Sequence, residues 1–160
     1  MTETHCKFCG HPLTPKPLAH EGLVPFCEQC GEYRFPGFNV AVSMIVRAPS
    51  GKIVLIKQYG RQDYILVAGY INKGESAEDA VRREVQEELG AKVVSMQFNE
   101  SRYYERSNTL MVNFACTIES DALSPNYEID SFAWFTPEEA RAAIKPESLA
   151  KAFLENYLER

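Results

Sequence analysis

Three glutamates, Glu84, Glu87 and Glu88, stand three and four residues apart in the segment Arg83-Glu84-Val85-Gln86-Glu87-Glu88. On a helix these spacings share one face, so the carboxylates converge on one locus and repel each other. Such a cluster survives either as a solvated acidic face or around divalent cations, and hard oxygen ligands suit Mg²⁺ or Mn²⁺ better than zinc. A second set is built of sulfur. Cys6 and Cys9 form one C-x2-C pair and Cys27 and Cys30 another, followed by Gly10 and Gly31. This is the spacing of a zinc ribbon, in which each glycine allows the positive φ of a tight turn and the four thiolates close a tetrahedral Zn²⁺ site. A closed site is structural rather than catalytic. The competing reading of the pairs is redox-active or coincidental C-x2-C.

The remaining reactive side chains offer less. Cys116 lies in the apolar run Leu110 to Ile118 and reads as a buried thiol in a strand. All the histidines, His5, His11 and His20, fall within the first 20 residues, so no nucleophile paired with a histidine is in view. His5 or His11 replacing a cysteine ligand is the alternative to surface histidines. The chain has 160 residues with 17 Lys+Arg and 22 Asp+Glu, a net charge of −5, and 45% hydrophobic residues. That fits a single domain with a small appendage and excludes a multidomain machine. The acidic balance disfavours broad adhesion to nucleic acid. No apolar stretch approaches the ~18 residues of a membrane span, and the opening MTETHCKFCG lacks a signal-peptide order, so the expectation is a soluble cytoplasmic protein with no membrane partner.

The elements that must position these residues follow from patterning. Residues 1 to about 36 are rich in Cys, Pro and His and poor in periodic apolar pattern, and are expected to need metal to fold. Val40 to Val46 and Lys52 to Lys57 read as strands joined by the turn Ala48-Pro49-Ser50-Gly51 into a hairpin. Tyr64 to Ala68 is a short strand. Ser76 to Leu89 is the clearest helix, with Ser76 as cap, Ala77, Val81, Val85 and Leu89 on one face and Gly90 as stop. Strands are expected at Lys92 to Phe98, Arg102 to Glu105, Leu110 to Ile118 and Ile129 to Phe135, then helices at Pro137 to Ile144, after the capping box Thr136-Pro137-Glu138-Glu139, and from Pro146 to Tyr157. The order implies an α/β sandwich with a mixed sheet.

The segment from Gly69 to Gly90 resembles the Nudix box, G-x5-E-x7-R-E-U-x-E-E-x-G-U with U aliphatic, at Gly69, Glu75, Arg83, Glu84, Val85, Glu87, Glu88 and Gly90, with Ala91 at the last U position. Beside the zinc ribbon read from the cysteines over residues 1–36, the resemblance implies a Nudix hydrolase domain, an α/β/α sandwich, over 37–160. It implies that the loop from Gly69 to Gly74 delivers the helix and that Glu84, Glu87 and Glu88 hold Mg²⁺ or Mn²⁺. It further implies that Glu88 or Glu87 takes a proton from the attacking water, and that Arg83 and Glu75 orient the ligands through ion pairs. Glu128, six residues before Trp134, falls where many Nudix enzymes supply another carboxylate; a surface residue at a strand start is the alternative. The reaction expected is pyrophosphate hydrolysis in a nucleoside diphosphate derivative.

A zinc ribbon ahead of such a domain is similar to the NADH pyrophosphatase family, which includes enzymes that remove NAD caps from RNA. Tyr33-Arg34-Phe35-Pro36 and Leu66-Val67-Ala68-Gly69-Tyr70 resemble that family's ribbon junction and its entry to the box. Its S-Q-P-W-P-F-P-x-S signature falls on residues 101–109, where the prolines and tryptophan are absent. There Tyr103 and Tyr104 are candidates to stack on a base or nicotinamide ring, and Arg102 and Arg106 to pair with phosphate, against alternatives of burial and solvated charge. Gly69 is also taken as a substrate contact. The resemblance implies NADH or NAD as first substrate, ADP-ribose or FAD next, capped RNA as the one nucleic-acid partner, and a homodimer. The alternative is a Nudix fold used, without catalysis, for ligand sensing or RNA binding.

Overall fold

The computed structural model describes residues 3–160 and divides the chain into two compact units, Met1–Phe38 and Asn39–Arg160. The first carries an antiparallel sheet of β1 (Thr14–Leu18), β2 (Gly22–Cys27) and β3 (Glu32–Tyr33), ordered β1-β2-β3. These strands form although the region is poor in periodic apolar pattern. Their signal is hidden because β1 contains Pro15 and Pro17, which an edge strand tolerates since one side needs no ladder donors.

The second unit is a mixed sheet between helices. Its strands are β4 (Asn39–Arg47), β5 (Ile53–Gln58), β6 (Val67–Tyr70), β7 (Val93–Tyr104), β8 (Thr109–Ile118) and β9 (Ile129–Phe135); its helices are α1 (Ala77–Leu89), α2 (Pro137–Ala143) and α3 (Leu149–Leu158). The order is β7-β8-β4-β5-β9, with β6 also on β4. Because side chains alternate across a strand, β4 and β5 feed both faces. Val42, Met44, Val46, Val54 and Ile56 pack with Val81, Val85 and Leu89 of α1 on one side. Ile45, Ile53 and Leu55 pack with Ala140 of α2 and Phe153 and Leu154 of α3 on the other. Each fully buried aliphatic or aromatic side chain stabilises the sandwich by roughly 1.5–3 kcal/mol.

The expected hairpin is real only at its tip. The Ala48 and Gly51 amides close the turn at 2.8 and 2.9 Å, but β4 meets β5 in register only at Arg47 and Ile53. Along the rest of that edge β4 pairs with β6, from Ala41 opposite Tyr70 to Met44 opposite Val67, while its other edge runs parallel with β8. Two expected strands, Lys92 to Phe98 and Arg102 to Glu105, are one: β7 runs through Asn99 with register shifts at Val93/Ser95 and Phe98/Glu100. Asn99 is tolerated inside because its amide donates to Asn113 Oδ1 and to the Phe153 carbonyl, both at 2.9 Å. The last helix begins at Leu149 with Ser148 as cap, not at Pro146. Residues 144 and 145 are held against Tyr64 by a parallel bridge and by the Lys145 amide donating to the Tyr64 carbonyl at 2.8 Å, so the chain stays extended there.

Among the described residues no helix is long and apolar enough to cross a membrane.

Candidate functional site

The four sulfurs of Cys6, Cys9, Cys27 and Cys30 lie within 4.8 Å of one another. Each knuckle closes in the same way: the Gly10 amide donates to the Cys6 carbonyl and the Gly31 amide to the Cys27 carbonyl, both at 2.8 Å, with φ of +74° and +71° at the glycines. The separations Cys6–Cys30, Cys9–Cys27 and Cys9–Cys30 are 3.9, 3.5 and 3.4 Å. Four sulfurs about 2.3 Å from a central zinc ion at tetrahedral angles stand about 3.8 Å apart. The spacing is therefore compatible with structural zinc, and too long for disulfides. Arg34, buried in this unit, donates through Nε to Cys6 Sγ at 3.3 Å, and this cation is the main cause holding the Cys6 thiol down at about 5. His5 and His11 are exposed and outside the cluster.

The acidic site is assembled by α1 and the strands that end beside it. Ser76 caps the helix by accepting the Asp79 amide at 3.1 Å, and Gly90 ends it at a φ of +64°. A side chain at 90 would place Cβ 2.7 Å from the Ser124 carbonyl oxygen, so glycine is required there twice over. The one helical face carries both core and chemistry: Val81 and Val85 are wholly buried, and Glu84 and Glu88 are 8% and 6% exposed. A cavity of about 530 Å³ is lined by Glu84, Glu87 and Glu88 of α1, by Gly69 and Tyr70 of β6, by Arg83, and by Glu128 before β9.

Charge inside this site is unevenly satisfied. Arg83 grips Glu75 with Nε and Nη2 at 2.8 and 3.0 Å, and its Nη1 reaches Glu84 at 2.6 Å and Glu87 at 3.2 Å. That guanidinium, with the Asn72 amide, holds the Glu75 carboxyl down at about 2, and Glu75 in turn raises the arginine, which stays charged. Glu88 has the opposite fate. Its Oε2 is buried without a hydrogen-bond partner, and burial, then the charges of Glu84, Glu128 and Glu87, push it up to about 8. An orphaned buried carboxylate oxygen among other carboxylates is a place that a cation would fit electrostatically.

Gly69 explains itself at this point. A Cβ there would lie 2.0 to 2.4 Å from the carboxyl atoms of Glu84, so the bare backbone is the seat on which that carboxylate rests. Glu128 faces the cavity and accepts a hydrogen bond from the Tyr59 hydroxyl at 2.7 Å. The four residues taken from 101–109 are not among those lining the cavity. They lie on β7, an edge strand, and the short 3-10 turn Glu105–Ser107 that follows. Arg102 pairs with Glu100 at 3.0 Å, Tyr103 donates to Asn108, and Tyr104 and Arg106 are exposed. The same stretch supplies Ser107 and Thr109 to the cavity instead, joined by Met111 further along β8. Sequence reasoning missed these, together with Gln58 and Tyr59, whose only local signal is the Tyr59-Gly60 turn at the end of a strand. Cys116 is buried in β8, and burial pushes its thiol up to about 12.

A three-layer α/β fold with this acidic helix defines a class, and comparison identifies it: the NUDIX domain family matches residues 37–157, and the chain belongs to that family. Among curated relatives, the NAD-capped RNA hydrolase NudC of Pseudomonas aeruginosa is 31% identical over 160 residues, covering 98% of this chain and 57% of the relative. The protein of that name from Chromobacterium violaceum is 27% identical over 158 residues, covering 96% and 59%. The chain thus spans less than two thirds of the length of these relatives. A NUDIX hydrolase from Nitrosomonas europaea shares the fold with a TM-score of 0.67 at 19% identity, covering 98% of this chain and 91% of that one. The NUDIX domain of Shewanella oneidensis NrtR, solved with ADP ribose, shares it at 0.66 and 14% identity, with coverage of 84% and 93%.

Proposed function

We propose that the chain is a divalent-metal-dependent hydrolase that cleaves the pyrophosphate bond of a nucleoside diphosphate derivative, an NADH- or NAD-like dinucleotide before ADP-ribose or FAD. The observation that carries this is the buried, unpartnered Oε2 of Glu88 in a cavity lined by three further carboxylates, Glu84, Glu87 and Glu128. Hard oxygen donors of this kind fit Mg²⁺ or Mn²⁺, and Glu84, Glu87 and Glu88 are the residues to hold it. When bound, such an ion neutralises a diphosphate, lowers the pKa of a water and stabilises the departing oxygen.

The chain's own residues do the rest. Glu75 fixes the Arg83 guanidinium, which in turn orients Glu84 and Glu87. Gly69 leaves room for the Glu84 carboxylate, and Glu88 or Glu87 accepts the proton of the attacking water, with Glu128 as a further carboxylate. The names of the relatives support placing the dinucleotide first, with NAD-capped RNA as a larger form of it. In the other unit Cys6, Cys9, Cys27 and Cys30 hold Zn²⁺ in a structural role, and the assembly is a homodimer, checked by sedimentation. A silent sensing module is not favoured, because a binder has no need to bury an unpaired carboxylate beside three others.

The deciding experiment is chromatography of products after incubation with NADH, NAD, ADP-ribose, FAD and NAD-capped RNA in Mg²⁺ or Mn²⁺. Cleavage of NADH to reduced nicotinamide mononucleotide and AMP, lost in Glu88→Gln, is expected. Turnover of none of them refutes the proposal.

A further inference from the structure

Tyr59 is held in a way its sequence neighbours do not require. It and Gly60 have consecutive positive φ values of 56° and 69°, and the Arg61 amide donates back to the Gln58 carbonyl at 3.2 Å, the φ pattern of a type I′ turn. That turn favours asparagine at its first central position, and a bulky aromatic residue there is a backbone outlier. An outlier of this kind persists only where its surroundings fix it.

Both neighbours of the tyrosine are fixed from β9. The β5–β9 ladder pairs Lys57 with Ser131 and Gln58 with Ile129, so Asp130 is the extra residue of a bulge. The bulged residue's carboxylate accepts the Gly60 amide at 2.7 Å, locking the turn. With the turn locked, the Tyr59 hydroxyl donates to Glu128 Oε2 at 2.7 Å, although the residue is 64% exposed. Glu128 meanwhile has its own amide bound to Asn126 Oδ1 at 2.9 Å, so backbone and carboxylate are both anchored. The need is electrostatic. Glu128 shares the cavity wall with Glu84, Glu87 and Glu88, and without a donor its carboxylate would be free to swing away from them toward water. One phenol bond retains it and leaves the other oxygen available to the cavity.

We propose that Tyr59 is a positioning residue that acts through Glu128, holding its carboxylate at the reaction centre, with Asp130 as the clamp that keeps the strained turn in place. This rests on the hydrolase reading above.

The test uses Tyr59→Phe, which removes only the hydroxyl, and Tyr59→Asn, which also relieves the turn. Both are expected to lower kcat about tenfold with KM unchanged. Tyr59→Asn is also expected to melt above the wild type, so the activity loss cannot come from instability. In a Glu128→Ala background, Tyr59→Phe is expected to add no further loss. A Tyr59→Phe enzyme with wild-type kcat, or an equal loss in the Glu128→Ala background, overturns the assignment while leaving the hydrolase reading intact. A wild-type protein that cleaves none of the compounds overturns both.

Discussion

The two ligand sets in this chain are prepared to different degrees. The cysteine sulfurs all lie within 4.8 Å of one another, with Cys6–Cys30, Cys9–Cys27 and Cys9–Cys30 at 3.4 to 3.9 Å, close to the edge of a zinc tetrahedron. The carboxylates do not gather in this way: among the described residues the thiol group is the one set of three or more such ligands meeting within 4.8 Å. Instead Arg83 Nη1 stands between Glu84 and Glu87, and Glu88 is left with a buried orphan oxygen. On the proposed function, the thiol set, which would hold its ion permanently, is shaped for it by two tight knuckles, whereas the carboxylate set, which would take its ion with the substrate, keeps an internal cation and an orphan oxygen.

The largest effect that would sharpen this contrast is loss of the thiol cluster. Structural zinc of this type contributes an apparent ~10–16 kcal/mol to folding. Cys27→Ser, or chelation, is therefore expected to unfold Met1–Phe38, seen as loss of its protected amides in hydrogen exchange. Unchanged protection would break the contrast by showing that the sheet of β1, β2 and β3 holds without metal. Next is Glu88→Gln, expected to lower kcat by more than the ~10–100-fold typical of an outer-shell partner. In metal-free protein the same substitution has a second signature. The Glu88 carboxyl is raised from 4.5 to about 8, so the folded state binds more protons than the unfolded state and loses stability as pH rises through that window. Glu88→Gln should then melt above wild type at pH 8 and converge with it near pH 4.5.

Smaller is Gly69→Ala, whose methyl group would displace the Glu84 carboxylate rather than any core atom. Metal affinity, measured by calorimetry, is expected to fall roughly tenfold, with melting nearly unchanged; a matched fall in melting would mean that Gly69 serves the fold instead. The smallest concerns Glu75. Its carboxyl is lowered from 4.5 to about 2, so the stability it lends is complete above pH 4.5 and is lost as pH falls toward 2. Glu75→Gln should flatten that part of the acid-unfolding profile and leave neutral turnover only modestly reduced.

What was legible in the sequence was what is decided locally. The knuckle glycines, the Ser76 cap, the Gly90 stop and the Thr136–Glu139 capping box depend on residues a few positions apart, and each appears where the spacing puts it. The helical spacing also placed Glu84 and Glu88 toward one cavity. What was not legible depends on partners far along the chain. Asn99 continues β7 only because Asn113 and the Phe153 carbonyl receive it, and α3 starts late because Tyr64 holds residue 145. Tyr103 and Arg102 read as contacts for an aromatic or anionic ligand, but an outermost strand turned them to Asn108 and Glu100. Tyr59 was invisible because its role comes from a bulge in β9.

The parallel pairing of β4 with β8 has a kinetic consequence. Asn113 donates to the Ser43 carbonyl at 3.0 Å across 70 residues of chain, and β4 can find no full-length neighbour nearer in sequence, since β5 meets it at a single pair. The central strand must therefore wait for a long loop to close before its ladder repays the lost entropy. Refolding of Asn39–Arg160 should be slow for its size, with α1 and the capping box of α2 formed ahead of the sheet's middle, and a strand edge left open in the meantime for another copy to meet.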